Sequence, residues 1–255
     1  MSEAAYPRAL AGAFAWPLRH PVRAYIVLGL GSLLGSLRFF PWLATGRKDP
    51  GLYAAFGYAF FAGAAVSWLF AVVRRTTHPD DRRPETVDRE LDLEDAWSDL
   101  LQFLGAAAAA YLPLGGFVVY AALDEGRPFH DGDFRVALGA LGVAGTIYFP
   151  MALLLLGFTG QALAAFNVPL GVRSMGRLGA DYGLCVALFL AAAGAAAGLE
   201  LGWVRFTPVL TWEGWLARTS SSVAELYLAA VAMRALGLLY VERGDDLGWV
   251  ARPST

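Results

Sequence analysis

The chain has 255 residues, of which 57% are hydrophobic and 16% are charged, and its mean hydropathy is +0.48. Soluble domains carry about 25% charged residues, and several apolar runs here reach the roughly 20 residues that a helix needs to cross a bilayer. The composition therefore excludes an ordinary soluble domain and predicts a single all-α domain, a polytopic bundle of transmembrane helices. A net charge of −2 without a dense basic tail argues against a nucleic-acid partner.

Six apolar runs predict six membrane spans, at 24–44, 52–73, 100–123, 136–166, 182–203 and 223–241. The fourth run is too long for one upright helix, because at about 1.5 Å per residue it would reach about 45 Å against a hydrocarbon core of about 30 Å. Pro150 lies inside this run. Either a tilted span, kinked at Pro150 and ending near Gln161, or a re-entrant hairpin of two half-spans would accommodate the excess length.

The polar segments between the spans predict the orientation. Residues 7–20 fit either a short interfacial helix at the lipid headgroups or a plain lead-in to the first span. The longest polar segment, 74–99, begins as an irregular loop and ends with helical spacing, so the third helix begins before the membrane, with Asp92 suited to cap it. Its acidic residues suit either a solvated loop or a partner site. Basic residues concentrate on this side, which places both termini in the cytoplasm.

The segment 167–180, between the fourth and fifth spans, predicts an interfacial elbow. Its apolar residues recur at intervals of three and four, as in a short amphipathic helix, and Asn167 is suited to cap the start of that helix. Arg173 and Arg177 would share one face and meet water or lipid phosphate, which makes them candidate lipid-binding or partner-binding residues. Gly179 favours a break before the fifth span.

Two pairs of glycines predict close packing between helices. Gly31 and Gly35 lie in GSLLG of the first span, and Gly194 and Gly198 lie in GAAAG of the fifth. Residues four apart share one face of a helix and leave a groove that a second helix can approach. That second helix would belong either to the same bundle or to another copy of the chain.

Four ionisable residues fall within the spans, where a charge is costly and commonly marks function. Arg38, Glu200 and Glu225 lie near predicted outer ends, and the first two can snorkel towards water. Arg234 is the deepest, and we expect it to snorkel inward, to form a structural pair with an acid inside the bundle, or to lie on a ligand or transport path. Glu225 and Arg234 are therefore the candidate intramembrane polar residues.

The sequence offers no constellation of catalytic or metal-binding residues. His20, His78 and His130 all fall outside the predicted spans, and the zinc motif HExxH, the nucleophile motif GxSxG and a Walker-type glycine loop are absent. Cys185, the one cysteine, fits a small core residue. We therefore expect no enzymatic activity, no cofactor and no metal site.

Several stretches punctuated by proline and arginine carry a family resemblance. They are PRALAGAFAWPLRHP before the first span, LDLEDAWSDLLQFLG leading into the third, FPMALLLL followed by FNVPLGVRSMGRLGADY, and MRALGLLYVERGDDLGW near the C-terminus. Together they resemble a family of bacterial and archaeal multi-span membrane proteins known as domain of unknown function 4013. The sequence Asn167-Val168-Pro169 departs from the Asn-Pro of that family. The resemblance implies the multi-span topology and no mechanism.

These features predict a multi-pass protein of the bacterial inner membrane that acts as a structural or accessory subunit, or that organises the membrane through its interfacial helices. A single lysine beside many arginines is typical of a GC-rich bacterial genome. Its partners would be the lipid bilayer, other membrane proteins or a second copy. The alternative is a small transporter or permease component with Arg234 and Glu225 near a substrate path. A contiguous polar cavity would favour transport, and an exposed small-residue face would favour a subunit.

Overall fold

The computed structural model describes residues 5–45, 52–77, 93–123, 132–159, 161–208, 211–247 and 249. These residues are helical almost throughout and include no strand, which confirms the predicted all-α class. Within them, the α-helices are α1 (Ala5–Ala15), α2 (Pro21–Thr45), α3 (Leu52–Thr77), α4 (Leu93–Leu123), α5 (Gly132–Thr159), α6 (Val168–Gly202) and α7 (Trp212–Leu247). Short 3-10 helices at Trp16–Leu18, Ala162–Phe166 and Val204–Phe206 connect some of them.

Four segments of the described chain are long and apolar enough to cross a membrane, as in a membrane-embedded protein. They are Trp97–Leu123, Asp133–Thr159, Val168–Phe206 and Trp212–Leu247. This number is smaller than the six spans predicted from the sequence. The four do not include α2 or α3, and the described apolar part of α3, Ala59–Val73, is shorter than a span.

Helices continue beyond the predicted span ends because local hydrogen bonds keep polar residues helical. α7 begins at Trp212, well before the predicted 223, where the backbone N–H of Gly214 donates to the Thr211 hydroxyl at 3.1 Å. α3 reaches Thr77, and the hydroxyl of Thr76 donates to the Val72 carbonyl at 2.6 Å. The segment predicted as a loop at 74–99 therefore begins within α3, and α4 starts at Leu93, in the part of the segment where the spacing predicted a helix. Asp92, His78 and His130 lie outside the described residues.

The run around Pro150 forms one helix rather than two half-spans. α5 continues through Pro150 as far as Thr159, so the described chain does not form the re-entrant hairpin. The following segment, 161–167, contains a 3-10 helix before α6 begins. The long helix is anchored by its apolar residues, because 151–156 (MALLLL) are at most 1% exposed.

The chain divides into two compact units. Unit 1 consists of Met1–Leu100 and Ala187–Glu242, and unit 2 of Leu101–Val186 and Arg243–Thr255. The helices α4, α6 and α7 each contribute residues to both units.

Unit 1 is built on the close approach of α2 to α7. A Cβ at Gly31 would lie 2.6 Å from Cα of Val223, and a Cβ at Gly35 would collide with Cα of Thr219. From Gly31 to Gly35 the chain advances by four residues along α2, while the contacted residue changes from Val223 to Thr219, four residues earlier in α7. The two helices are therefore antiparallel. The first glycine pair therefore packs within the chain.

The predicted interfacial segment 7–20 contains α1, which packs along α7 within unit 1. The hydroxyl of Tyr6 donates to the Ala235 carbonyl at 3.2 Å, and the hydroxyl of Tyr227 donates to the carbonyl of Phe14. Tyr6 is 2% exposed, although it lies close to the N-terminus. Tyr6 contacts Ala235, whereas the later residue Phe14 contacts the earlier residue Tyr227. α1 and α7 are therefore antiparallel.

Unit 2 is organised around Tyr148 of α5. Its hydroxyl donates to the Ala165 carbonyl at 2.7 Å, and its ring fills the space beside Gly171, where a Cβ would come within 2.6 Å of a ring carbon. Further along α6, Gly179 has φ 55 and ψ −127, a conformation that favours glycine. This residue breaks α6 at the position where the sequence favoured a break.

The glycine contacts predict opposite outcomes for two alanine substitutions on α2. Gly35→Ala places a methyl group against the α7 backbone, so we expect a loss of stability of about 1–3 kcal/mol. Gly29→Ala meets nothing within 4 Å in the described chain and should be neutral or stabilising by up to about 1 kcal/mol through helix propensity. Unfolding of the detergent-purified protein measures both, and equal stability of the two variants would contradict the close approach.

Candidate functional site

Three helices of unit 1 bring opposite charges together in what we name the charged cluster: Arg38 of α2, Glu200 of α6, and Ser221, Ser222 and Glu225 of α7. Nη1 of Arg38 lies 3.3 Å from both carboxylate oxygens of Glu225 and 3.3 Å from the Ser222 hydroxyl. It also lies 3.8 Å from Oε2 of Glu200. A single guanidinium thus joins α2, α6 and α7.

The packing of α2 against α7 explains why the cluster forms. Arg38 follows Gly35 by about one turn, so the close approach at that glycine places the guanidinium over α7. On α7, the Ser221 hydroxyl donates to Glu225 at 3.0 Å across one helical turn. The carboxylate of Glu225 therefore accepts from both its own helix and α2, which fixes its position.

The charges of the cluster balance when its neighbour Arg218 is included. Arg218 interacts electrostatically with both Glu200 and Arg38, and it donates to the Gly214 carbonyl at 2.9 Å. Two guanidiniums and two carboxylates then share one region. Such mutual neutralisation lowers the cost of holding charged groups away from water.

One atom of this cluster is not satisfied. Oε2 of Glu200 is buried and has no hydrogen-bond partner in the described chain, although 47% of the whole side chain is exposed. Its distance of 3.8 Å from Arg38 is too long for a hydrogen bond. A buried carboxylate oxygen without a donor is the atom of this cluster best suited to accept a further hydrogen bond.

The structure does not bring the two candidate intramembrane residues, Glu225 and Arg234, together. Nη1 of Arg234 donates to the Thr76 hydroxyl at 2.6 Å, and its guanidinium carbon lies 5.3 Å from the ring centroid of Trp16. Within the described residues, Arg234 has no carboxylate at ion-pair distance, so the acid partner considered from the sequence is not found there. Glu225 instead pairs with Arg38.

The two arginines of the predicted elbow have different environments. Arg173 is exposed, whereas Nη1 of Arg177 donates to the Leu247 carbonyl at 2.7 Å and so satisfies the end of α7. The Asn167 side chain accepts from the backbone N–H of Leu170 at 3.2 Å, as expected of a capping residue. Arg177 thus has a structural contact, and Arg173 remains open to a headgroup.

Contacts of the C-terminal segment were not predicted from the sequence. Arg243 pairs with Asp181 at 2.7 Å, and the Trp249 indole N–H donates to the Ser174 hydroxyl at 3.0 Å. These bonds hold Arg243 and Trp249 against the first part of α6 within unit 2. Complementary charge at Asp181 and Arg243 was visible in the sequence, but their distance of 62 residues along the chain hid the pairing.

Unit 2 contains a cavity of about 370 Å³ between α4, α5 and α6. Its lining is almost entirely apolar, and the hydroxyl of Tyr148, which lines it, already donates to Ala165. Such a lining suits an acyl chain or an apolar side chain and offers no group for acid–base chemistry.

No metal centre is formed by the residues that the structure describes. They contain no group of three or more His, Cys, Asp or Glu side chains placed to hold an ion. Cys185 is fully buried. The glycines of GAAAG, in contrast to Gly31 and Gly35, meet nothing within 4 Å in the described chain.

Comparison with known proteins finds no protein family, no curated protein and no solved structure that matches this chain.

The charged cluster predicts that Arg38→Gln destabilises the protein, because it leaves the carboxylates of Glu200 and Glu225 without their shared cation. We expect a loss of about 1–2 kcal/mol, below the range for fully buried pairs, since about a third of the Arg38 and Glu225 side chains is exposed. Adding Glu225→Gln to this variant should restore part of the loss.

Chemical or thermal unfolding in detergent measures this coupling. The matched control is Glu213→Gln, an exposed acid in the first turn of the same helix, which should change stability by less than about 0.5 kcal/mol. Strictly additive effects of Arg38→Gln and Glu225→Gln would show that the pair does not stabilise the fold.

Proposed function

We propose that the protein is an accessory or structural subunit of the bacterial inner membrane, which binds the transmembrane helix of a partner along α6. The observation that carries the proposal is the second glycine pair. Gly194 and Gly198 lie on an apolar helix, and a Cβ at either would meet nothing within 4 Å of the described chain. The first pair, with the same spacing, is occupied by α7.

The exposure of α6 supports this assignment. Only 11% of the most apolar stretch of the segment Val168–Phe206 is buried within the chain, against 56% for the corresponding stretch of Trp212–Leu247. Helices that face lipid gain little from small side chains, whereas helix contacts in membranes are enriched in glycine and alanine. The run AAAGAAAG, residues 191–198, therefore suits a protein partner better than lipid.

We propose that α2 and α3, at 25 and 26 residues, cross the membrane together with the four longer candidates, giving six spans with both termini in the cytoplasm. The concentration of arginines before α2, after α3 and at the end of α7 supports this orientation. We also propose membership of the family known as domain of unknown function 4013, and no enzymatic activity, cofactor or nucleic-acid partner.

Replacing the two glycines tests the proposal. The full chain, tagged and purified from its own membranes in mild detergent, should bring down a membrane protein in stoichiometric amount, and Gly194→Leu and Gly198→Leu should each weaken this association by at least about tenfold. Gly139→Leu, at an exposed and open glycine of α5, should leave it unchanged. Loss of the association in all three variants, or in none of them, would contradict a contact at α6.

Crosslinking distinguishes a second copy of the chain from a different partner protein. In a Cys185→Ala background, Gly194→Cys should form a disulfide dimer in the native membrane if α6 packs against α6. Absence of that dimer, together with an intact heteromeric complex, identifies a different partner. A monomer with neither association would refute the subunit role.

Transport through the charged cluster is the second candidate, and the unbonded oxygen of Glu200 favours it. The residues involved are then Glu200, Glu225 and Arg38, and not the pair of Arg234 and Glu225 considered from the sequence. Purified protein in liposomes should carry protons down an imposed pH gradient, and Glu200→Gln should reduce that flux at least about tenfold while Glu213→Gln leaves it intact. Equal flux in protein-free liposomes would dismiss this candidate.

A further inference from the structure

The first part of α6 lies across α5 instead of running along it. The hydroxyl of Tyr148 donates to the Ala165 carbonyl, and the hydroxyl of Tyr182 donates to the carbonyl of Ile147, the neighbouring residue of α5. The chain from Ala165 to Tyr182 therefore begins and ends at one level of α5. The helix within this stretch, 168–178, crosses α5, and we name it the crossing helix.

The crossing helix forms one wall of the apolar cavity of unit 2. Val168, Val172 and Met175 line the cavity and recur at intervals of four and three, so they share one face of the helix. α4 and α5 form the other walls, and the lining residues all belong to unit 2. On α4, Pro113 has no N–H to donate to the Ala109 carbonyl one turn earlier, and both residues line the cavity.

The cavity opens on the surface of the described chain. Its inner wall is buried, since Ala110 and Tyr148 are 6% and 7% exposed. Its rim is not buried, since Ile147, Val168 and Val172 are 39%, 44% and 53% exposed. An occupant can therefore enter from outside the unit, past side chains that are themselves apolar.

The lining of the cavity restricts the chemistry of an occupant. Its volume of about 370 Å³ lies in the range of about 300–1,000 Å³ that is typical of small-molecule sites. A bound water needs about two to four polar partners, and the lining is almost entirely apolar. Ions and sugars are disfavoured for the same reason. The lining therefore suits a flexible apolar group such as an acyl chain.

A cation lies beside the rim of the cavity. Arg173 directly follows Val172 in the crossing helix and is exposed. Arg177, one turn further on, is instead engaged by the Leu247 carbonyl. The fork of an arginine side chain matches phosphate oxygens in pairs of hydrogen bonds. A phosphate on Arg173 would thus lie one residue from the rim.

We infer that the cavity binds one acyl chain of an anionic phospholipid whose phosphate pairs with Arg173. A phospholipid joins the two groups that this site suits, a flexible apolar chain and a phosphate, whereas an apolar side chain of a partner would leave the arginine unused. The charged residues of this stretch, Arg173, Arg177 and Asp181, favour a position of the crossing helix at the membrane surface, beside the headgroups. The inference does not depend on the partner face proposed at Gly194 and Gly198.

Thermal unfolding of the full chain, purified in mild detergent and stripped of bound lipid, tests the inference. The probes are phosphatidylglycerol, phosphatidylcholine and glycerol phosphate, which carries a phosphate without an acyl chain. A ligand that binds the folded state raises the unfolding temperature according to its concentration and affinity. We expect phosphatidylglycerol to raise it most, because the choline of phosphatidylcholine offsets the phosphate charge, and glycerol phosphate to leave it unchanged.

Two exposed valines provide a matched pair of variants for the cavity. Val172→Trp places a bulky ring at the rim and should weaken the apparent affinity for phosphatidylglycerol at least about tenfold. Val143→Trp makes the same change at an exposed residue of α5 outside the lining and should leave the affinity unchanged. If Val172→Trp does not fold, Ala144→Phe, at an exposed residue of the lining, takes its place.

A second pair of variants tests the charge. Arg173→Gln should weaken the affinity for phosphatidylglycerol about fivefold, whereas Arg205→Gln, at an exposed arginine of the 3-10 helix after α6, should not. Equal affinities within either matched pair, or equal stabilisation by phosphatidylglycerol and glycerol phosphate, overturn the inference. Loss of a co-purifying protein from Val172→Trp with unchanged lipid affinity also overturns it, and assigns the cavity to an apolar side chain of a partner.

Discussion

The close approach of α2 to α7 is the contact on which the described structure of unit 1 depends. Gly31 and Gly35 remove the side chains that would hold the helices apart, and backbone atoms of α7 occupy the space. In a membrane, where lipid tails are as apolar as leucine, such van der Waals contact replaces the hydrophobic effect as the force between helices. The same approach brings Arg38 to Glu225 near one end of the pair and Arg23 to the region of Arg234 near the other.

Arg38 and Arg234 are stabilised by different interactions. Arg38 uses the carboxylates of Glu200 and Glu225, so Coulomb attraction offsets the loss of water. Arg234 uses a hydroxyl and an indole face, which stabilise a cation without neutralising it. The first arrangement pairs opposite charges, whereas the hydrogen-bond acceptor of Arg234 in the described chain is a neutral hydroxyl.

The sequence was sufficient for the helical class, for the Asn167 cap and for the break at Gly179, because each depends on residues close together along the chain. It was insufficient for the pairing of Arg38 with Glu225. Their contact depends on the register between α2 and α7, and helical periodicity defines a face without defining which residue of another helix it meets. The extent of α7 was missed for a related reason, since serine and threonine side chains bond to their own helix and keep a polar stretch helical.

The two glycine pairs show that local sequence does not predict which pair is occupied by another helix of the chain. GSLLG and GAAAG have the same spacing and the same propensity for close contact, yet one is filled by α7 and the other is open in the described chain. The neighbouring residues differ: the first motif is followed by Arg38, which adds an ion pair to the contact, whereas the second is flanked by further alanines. A helix face made of small, uncharged side chains can contact many different apolar helices.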